Sequence, residues 1–81
     1  MEKVINLIDA KLGKKCLIVE VSENLSKSIQ KRLRDLGFVR RREVVLLARS
    51  KFSKGGIVFI CGGKLCLDFN ILSNIKVCIY E

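Results

Sequence analysis

The chain has 81 residues, 49% of them apolar, and a formal net charge of +8. This length predicts a single domain, residues 1–81, with room for a small core. No stretch approaches the ~18 consecutive apolar residues of a membrane span, and the first residues do not resemble a secretory signal, so we expect a cytoplasmic protein without a membrane-spanning segment. Histidine is absent; because it is the commonest general base, we do not expect an enzyme.

The first strongly patterned segment is KCLIVEV, residues 15–21, whose apolar side chains alternate. Alternation predicts a half-buried strand. The next segment changes to a helical period, with apolar residues at steps of four, four and three: Leu25, Ile29, Leu33 and Leu36. This spacing places them on one face of a helix. Either Ser22 or Asn24 fits the N-cap position, and the sequence does not decide between them.

The end of this helix is marked by a glycine. Gly37 suits the left-handed position that follows a helix, and Phe38 stands where a Schellman motif packs an apolar residue back onto Leu33. We therefore expect the chain to turn at Gly37 into the next strand, with Leu33 and Leu36 contacting the core.

Four further strands follow. EVVLLARS predicts a strand with Val44, Leu46 and Ala48 on one face, and KFSKGG predicts a turn. IVFICGGKLCLDF predicts a hairpin, whose two-residue turn is either Gly63-Lys64 or Gly62-Gly63. NILSN predicts one helical or 3₁₀ turn, and IKVCIYE predicts a final strand.

These elements indicate a mainly β fold. About five short strands, with one α-helix inserted after the first long strand, cannot cover a flat sheet on both faces. A strongly bent sheet buries the alternating faces with the fewest open edges. We therefore expect a small SH3-like β-barrel, with the helix across one open end.

At this point the sequence resembles a known family. The motifs GxxCxIVxV (residues 13–21), RLxDLGFV (32–39) and EVxLLAR (43–49), then a glycine turn, LCL and IxV, follow the order found in FeoA domains, the small cytoplasmic ferrous iron transport protein A. The resemblance covers about residues 12–77. It implies an SH3-like fold similar to the C-terminal domain of iron-dependent repressors, and a role beside the membrane transporter FeoB, which has a cytosolic GTP-binding domain. It implies no catalytic residues.

The sequence departs from the family pattern mainly at its turns. Arg40-Arg41 stands where the family usually has Pro-Gly, and Lys54-Gly55-Gly56 replaces a glycine–acidic–proline turn. Asp68 occupies a position where the family has arginine. Residues 31–54 carry nine cations and two acids, a net charge of +7. Such concentrated charge attracts an acidic partner.

The three consecutive arginines, Arg40, Arg41 and Arg42, are the first candidates for partner binding. Because burying an unpaired guanidinium is costly, we expect all three to be exposed. On one interpretation they guide an acidic surface of a FeoB-type transporter onto the domain. On the other they only replace Pro-Gly and keep the domain soluble. The sequence leaves both interpretations open.

A second candidate surface is apolar. If Val58 and Ile60 point into the core, strict alternation turns Ile57, Phe59 and Cys61 outward. An exposed apolar stripe on a small domain marks an interface, either with a partner or with a second copy. We therefore add Ile57 and Phe59 to the partner-binding candidates. The alternative is that the loop ARSKFSKGG or the N-terminal VINLI segment covers the stripe.

The four cysteines raise the question of a metal site. With a turn at Gly63-Lys64, Cys61 and Cys66 are cross-strand neighbours; with a turn at Gly62-Gly63, Cys61 opposes Lys64. These two cysteines are the candidate ligands for a transient divalent ion such as iron. However, their CxxxxC spacing differs from the CxxC of zinc ribbons, and no histidine can complete the site. We therefore assign no cofactor, and interpret Cys66 and Cys78 as small buried apolar residues.

Two other functions compete with an accessory role in iron transport. A basic SH3-like barrel could bind nucleic acid, but such surfaces use aromatic stacking platforms, and Phe38, one of five aromatic residues, is already assigned to the helix end. A metal-responsive regulatory module would resemble the repressors, but no helix-turn-helix accompanies this domain. We therefore expect a non-enzymatic accessory protein that interacts with the cytosolic region of a FeoB-type transporter, not with nucleic acid.

Overall fold

The computed structural model describes residues 3–50 and 55–79. Within them, six strands form one antiparallel sheet in the order β1-β6-β2-β3-β4-β5. The strands are β1 (Lys3–Asn6), β2 (Lys15–Val21), β3 (Glu43–Arg49), β4 (Gly55–Ile60), β5 (Gly63–Asp68) and β6 (Ile75–Ile79). Two helices, α1 (Lys27–Asp35) and α2 (Phe69–Leu72), and a 3₁₀ turn (Leu7–Asp9) complete the fold. The predicted mainly β architecture is confirmed, with α1 inserted after the first long strand.

The first strand and the 3₁₀ turn are the parts of the fold that the sequence pattern does not predict. The segment VINLIDA has neither a clear alternation nor a helical period, yet Leu7, Ile8 and Ala10 are buried. They join the inner side chains of the sheet in one core, which includes Ile18, Val44, Leu46, Val58, Ile75 and Val77. The N-terminal segment is therefore part of the core.

Helix α1 begins later than predicted. Its N-cap is Ser26, whose Oγ accepts a hydrogen bond from the backbone N–H of Ile29 at 3.3 Å. The assignment of Ser22 or Asn24 as the cap is wrong, because the Ser22 hydroxyl instead accepts from the N–H of Asn24 at 3.1 Å in the preceding turn. Leu25 is buried as expected, although it precedes the helix.

The end of α1 is the Schellman motif that the sequence predicts. Gly37 has a left-handed φ of 108°, and its N–H donates to the carbonyl of Arg34 at 3.0 Å. The N–H of Phe38 donates to the carbonyl of Leu33 at 2.9 Å, and both side chains are buried. Leu36 differs from the prediction: it is 39% exposed, because the chain leaves the helix there and Phe38 takes its place in the core.

Strand β3 contains a β-bulge between Leu46 and Ala48. Val44 and Leu46 face the core as predicted, but Ala48 is exposed. The bulge explains the difference, since one extra residue reverses the side-chain phase of the strand beyond it. Ala48 consequently pairs with Ile57 on the outer face of the sheet.

The β4–β5 hairpin turns one residue earlier than Gly62-Gly63 and two residues earlier than Gly63-Lys64, the two predicted alternatives. Ile60 pairs with Gly63, so the two-residue turn is Cys61-Gly62. Both turn residues have positive φ, 52° and 79°, as a type I′ turn requires. The paired glycines of KFSKGG are also displaced from the predicted turn: Gly55 and Gly56 already belong to β4, and residues 51–54 lie outside the described residues.

Candidate partner-binding surface

The backbone of the arginine segment is fixed to β2 by a tight turn. The N–H of Arg42 donates to the carbonyl of Val39 at 3.1 Å, which places Arg41 third in a four-residue turn with φ of 69°. The N–H of Arg41 donates to the carbonyl of Ile18 at 2.8 Å, and the N–H of Ile18 donates to the carbonyl of Arg42 at 3.0 Å. A backbone held in this way presents its side chains at defined positions. As predicted, the side chains of Arg40, Arg41 and Arg42 are exposed.

The three arginines point to two different places. Arg41 and Arg42 line one surface concavity together with Phe59 and Cys61 of the β4–β5 hairpin. Arg40 lines another, formed by β2 and α1, which also contains Arg34. The structure therefore joins two of the predicted arginines to the apolar stripe and separates the third from it.

Direct contact links the arginine segment to the hairpin turn. Nη1 of Arg42 lies 2.6 Å from Sγ of Cys61. The same sulfur lies over Gly37, where an added Cβ would come within 2.5 Å of it. The helix end, the arginine segment and the hairpin turn thus meet at one thiol.

The predicted apolar stripe is exposed. Val58 and Ile60 are buried, whereas Ile57 and Phe59 are 36% and 41% exposed. The VINLI segment does not cover them, since its strand β1 pairs with β6 and its Leu7 and Ile8 are buried in the core. The other covering segment that we considered falls partly in residues 51–54, outside the described residues.

Strand register reveals a transverse row of side chains that sequence analysis missed. Lys15 pairs with Val45, Val45 with Phe59, and Phe59 with Lys64, so two lysines bracket two apolar residues across four strands. A second row on the same face runs from Ala48 through Ile57 to Cys66. We call the apolar members of both rows the outer patch: Val45, Ala48, Ile57, Phe59 and Cys66.

A glycine at the second turn position is a local signal that narrows the choice of turn but does not find this row. Type I′ turns favour Gly there, which argues against Gly63-Lys64 but suits both Cys61-Gly62 and Gly62-Gly63. Only the observed Cys61-Gly62 turn brings Lys64 opposite Phe59.

The cysteines do not form the predicted pair. Cys61 lies in the turn, and Cys66 opposes Ile57, so they are not cross-strand partners. Cys66 is exposed, which also corrects its interpretation as a buried residue, whereas Cys78 is buried as predicted. Burial, followed by the charge of neighbouring Cys78, raises the pKa of Cys16. Across residues 3–50 and 55–79, no three cysteine or carboxylate side chains converge as metal ligands, so the donors present do not fit a thiolate-based iron site.

Arg49, one of the nine cations of the basic segment, has a structural role. Its Nε donates to the carbonyl of Ile8 at 2.8 Å and its Nη2 to the carbonyl of Ala10 at 2.5 Å. The guanidinium therefore holds the 3₁₀ segment against β3. Lys51 and Lys54, which we also counted in the basic segment, lie outside the described residues. The cations beside the outer patch are Lys15, Arg41, Arg42 and Lys64, and one acid, Glu43, lines the same concavity as the first three.

Several solved structures share this fold. The FeoA protein from Chlorobium tepidum matches with a TM-score of 0.83 and 25% identity, over 95% of this chain and 71% of that one. Stenotrophomonas maltophilia FeoA, a zinc complex described as an SH3 domain protein, matches with a TM-score of 0.76 and 23% identity, over 88% and 86%. A manganese-dependent transcriptional repressor matches with a TM-score of 0.85 and 16% identity, over 99% of this chain and 44% of the repressor. The predicted SH3-like fold is confirmed.

Sequence comparison agrees with the structural likeness. No curated protein matches the chain, but the FeoA domain family model matches residues 5–78. In the described part of the chain, neither helix is long and apolar enough to cross a bilayer. The matched segment includes every strand except the start of β1 and the end of β6. The chain therefore belongs to the FeoA family.

Proposed function

We propose that this protein is a non-enzymatic, cytoplasmic accessory protein of ferrous iron transport, which binds the cytosolic region of a FeoB-type membrane GTPase transporter and modulates its activity. The observation that carries the proposal is the FeoA family match over residues 5–78. A family relative, Stenotrophomonas maltophilia FeoA, is described as a candidate ferrous iron transport activating factor. Ferrous iron enters this scheme as the transporter's substrate.

The outer patch supports protein binding. It presents Phe59 to solvent in the row between Lys15 and Lys64 and Ile57 in the neighbouring row, and Arg41 and Arg42 extend the positive rim beside Phe59. Apolar side chains with charged neighbours are typical of an interface core with a polar rim. This rim is mainly positive, although Glu43 also lines the concavity that contains Phe59. The expected counterpart on the transporter is an apolar surface edged by aspartate or glutamate.

The central test is a pull-down with tagged protein from membranes that contain the transporter, with and without GTP. The double variant Ile57→Lys/Phe59→Lys should lose at least tenfold in recovered transporter. Its matched control is Val4→Lys/Leu12→Lys, which adds the same charge at side chains that are 53% and 48% exposed and belong to neither row of the outer patch. Equal recovery by both variants would reject the outer patch as the docking surface. Recovery of RNA or DNA instead of a GTPase would reject the proposed partner.

The arginines require a kinetic test, because rim charges act mainly on the rate of association. Replacing Arg41 and Arg42 with serine should slow association with the purified cytosolic GTP-binding region and flatten its dependence on salt. Arg40→Ser is the matched control for each of the single variants Arg41→Ser and Arg42→Ser, since every one of them removes one charge and Arg40 lines a different depression. If all three changes slow association equally, general charge rather than the position beside Phe59 is responsible.

A further inference from the structure

Strand β5 forms one edge of the sheet, and in the described residues its only strand partner is β4. In an antiparallel ladder, hydrogen-bonded and non-hydrogen-bonded pairs alternate, and the pair that closes a two-residue turn is hydrogen-bonded. Ile60–Gly63 closes this turn. The backbone N–H and C=O groups of Lys64, Cys66 and Asp68 therefore point away from β4, toward the open edge.

We propose that two copies of this chain pair through their β5 strands, antiparallel, about a two-fold axis at Cys66. Their sheets then form one continuous sheet. In this register every outward-pointing backbone group of one β5 lies opposite an outward-pointing group of the other, which is the condition for hydrogen bonding. The pairing uses an interface that the proposed transporter function does not require, and so goes beyond that function.

Charge selects this register. With the axis at Cys66, Lys64 of each copy lies opposite Asp68 of the other, and opposite charges facing each other across a strand pair are favourable. Moving the axis to Lys64 places two lysines opposite each other, and moving it to Asp68 places two aspartates opposite each other. Asp68 remains available, because in the described part of the chain its carboxylate accepts one hydrogen bond, at Oδ1, from the N–H of Ile71 at 2.8 Å.

The other face of β5 is also self-complementary. Leu65 and Leu67 point toward the core side, yet both are only half-buried, because among residues 3–50 and 55–79 no strand lies beyond them. In the proposed register Leu65 of one copy packs beside Leu67 of the other, twice over. Edge strands with exposed apolar residues are the usual sites of strand-to-strand association.

The outer patch then becomes continuous across the axis. Ile57 lies beside Cys66 in each copy, so the two copies align Ile57, Cys66, Cys66 and Ile57 in one row. The high net charge of +8 per copy opposes association. We therefore expect a weak, concentration-dependent dimer, best observed at about 0.15 M salt or above, where charges more than about 8 Å apart are screened.

Thiol cross-linking tests the register directly, because Cys61 and Cys66 are both exposed while Cys16 and Cys78 are buried. A short-armed bis-maleimide should join two copies of the native protein through Cys66. Cys61→Ala should cross-link as well as the native chain, and Cys66→Ala should lose at least 90% of the product. Cross-linking that depends on Cys61, or on neither residue, would overturn the proposal.

Sedimentation of the unmodified protein tests the same interface without a probe. Lys64→Glu places two like-charged pairs in the register and should weaken the dimer at least tenfold. Cys66→Pro removes an N–H that β4 does not use and should abolish the dimer, whereas Cys66→Ala should retain it; circular dichroism checks that each variant is folded. A native protein that stays monomeric at millimolar concentration, or dimers unaffected by Lys64→Glu and by a folded Cys66→Pro, would overturn the proposal. Transporter recovery in the pull-down is a separate measurement, so either proposal can fail alone.

Discussion

Nη1 of Arg42 lies 2.6 Å from Sγ of Cys61, although 19 positions separate the two residues in the chain. This contact fastens the arginine segment, which the backbone already joins to β2, to the turn of the β4–β5 hairpin. The arginine and the exposed Phe59 are consequently held on one surface. Cys61, which the sequence presented as a metal ligand, instead has a role in packing the two candidate binding elements together.

Gly37 and Cys61 should be energetically coupled. Gly37→Ala should lower the free energy of unfolding by about 1–2 kcal/mol through its left-handed backbone alone, and by more because the new Cβ would lie 2.5 Å from the Cys61 sulfur. Cys61→Ala removes only the second cost. Urea denaturation of both single variants and the double variant should therefore give a coupling energy of at least about 0.5 kcal/mol. Additive effects would show that the sulfur moves away freely.

Arg41→Gly should stabilise the fold by about 1 kcal/mol, because a non-glycine residue with φ of 69° carries a steric cost that glycine avoids. The third position of a turn with positive φ is where glycine is preferred, and proline often precedes it. Arg40→Gly is the control: its φ is not positive, so the same loss of charge should bring no gain. Thermal melts should show a higher Tm for Arg41→Gly than for Arg40→Gly. An equal change in Tm for both variants would show that the loss of charge is the cause.

Arg49→Met should destabilise the protein by about 1–3 kcal/mol, since it removes two charge-assisted hydrogen bonds to the carbonyls of Ile8 and Ala10. Hydrogen exchange should increase first in the 3₁₀ segment and β1. Arg49→Lys retains the charge but cannot form both bonds with one ammonium group, so it should recover only part of the protection. Protection unchanged in the methionine variant would contradict this role.

Cys16 should make stability decrease at alkaline pH. Burial and the neighbouring Cys78 raise the pKa of Cys16, so the unfolded chain loses this proton at a lower pH than the native protein. The stabilisation is complete below the ordinary thiol range, about pH 8.5, and is lost as pH rises through the native pKa. Unfolding midpoints measured from pH 7 to pH 10 should fall more steeply in the native chain than in Cys16→Val. Cys66→Ala should follow the native curve, and parallel curves for native chain and Cys16→Val would exclude the effect.

Structural features that depend only on neighbouring residues in the chain could be predicted from the sequence. The Schellman motif at Gly37 and Phe38 needs only a helical period, a glycine and an apolar residue in sequence order, and the structure has each of its hydrogen bonds. The outward phase of Ile57 and Phe59 was equally accessible, since alternation with Val58 and Ile60 determines it.

Features that depend on register could not be predicted in this way. The row from Lys15 to Lys64 crosses four strands, and an error of one residue in the hairpin turn removes it. The N-terminal strand forms because it pairs with β6 and the residues that follow it are buried in the core, not because its own sequence favours a strand. Likewise, Ser22 and Asn24 are good capping residues, but the preceding turn engages them and leaves Ser26 to begin the helix.

The bulge in β3 also determines how the N-terminal segment is attached. With strict alternation from Val44 and Leu46, Arg49 would lie on the outer face; with Leu47 as the extra residue, it pairs with Gly56 and shares the inner phase of β4. Only from that side can its guanidinium reach the carbonyls of Ile8 and Ala10. Removing Leu47 would leave Ala48 and Arg49 opposite Ile57 and Gly56 by plain alternation, so the attachment of the opening ribbon should survive that deletion. The extra residue thus sets only the direction in which one guanidinium faces, and through that direction a single arginine joins the start of the chain to the middle of the sheet.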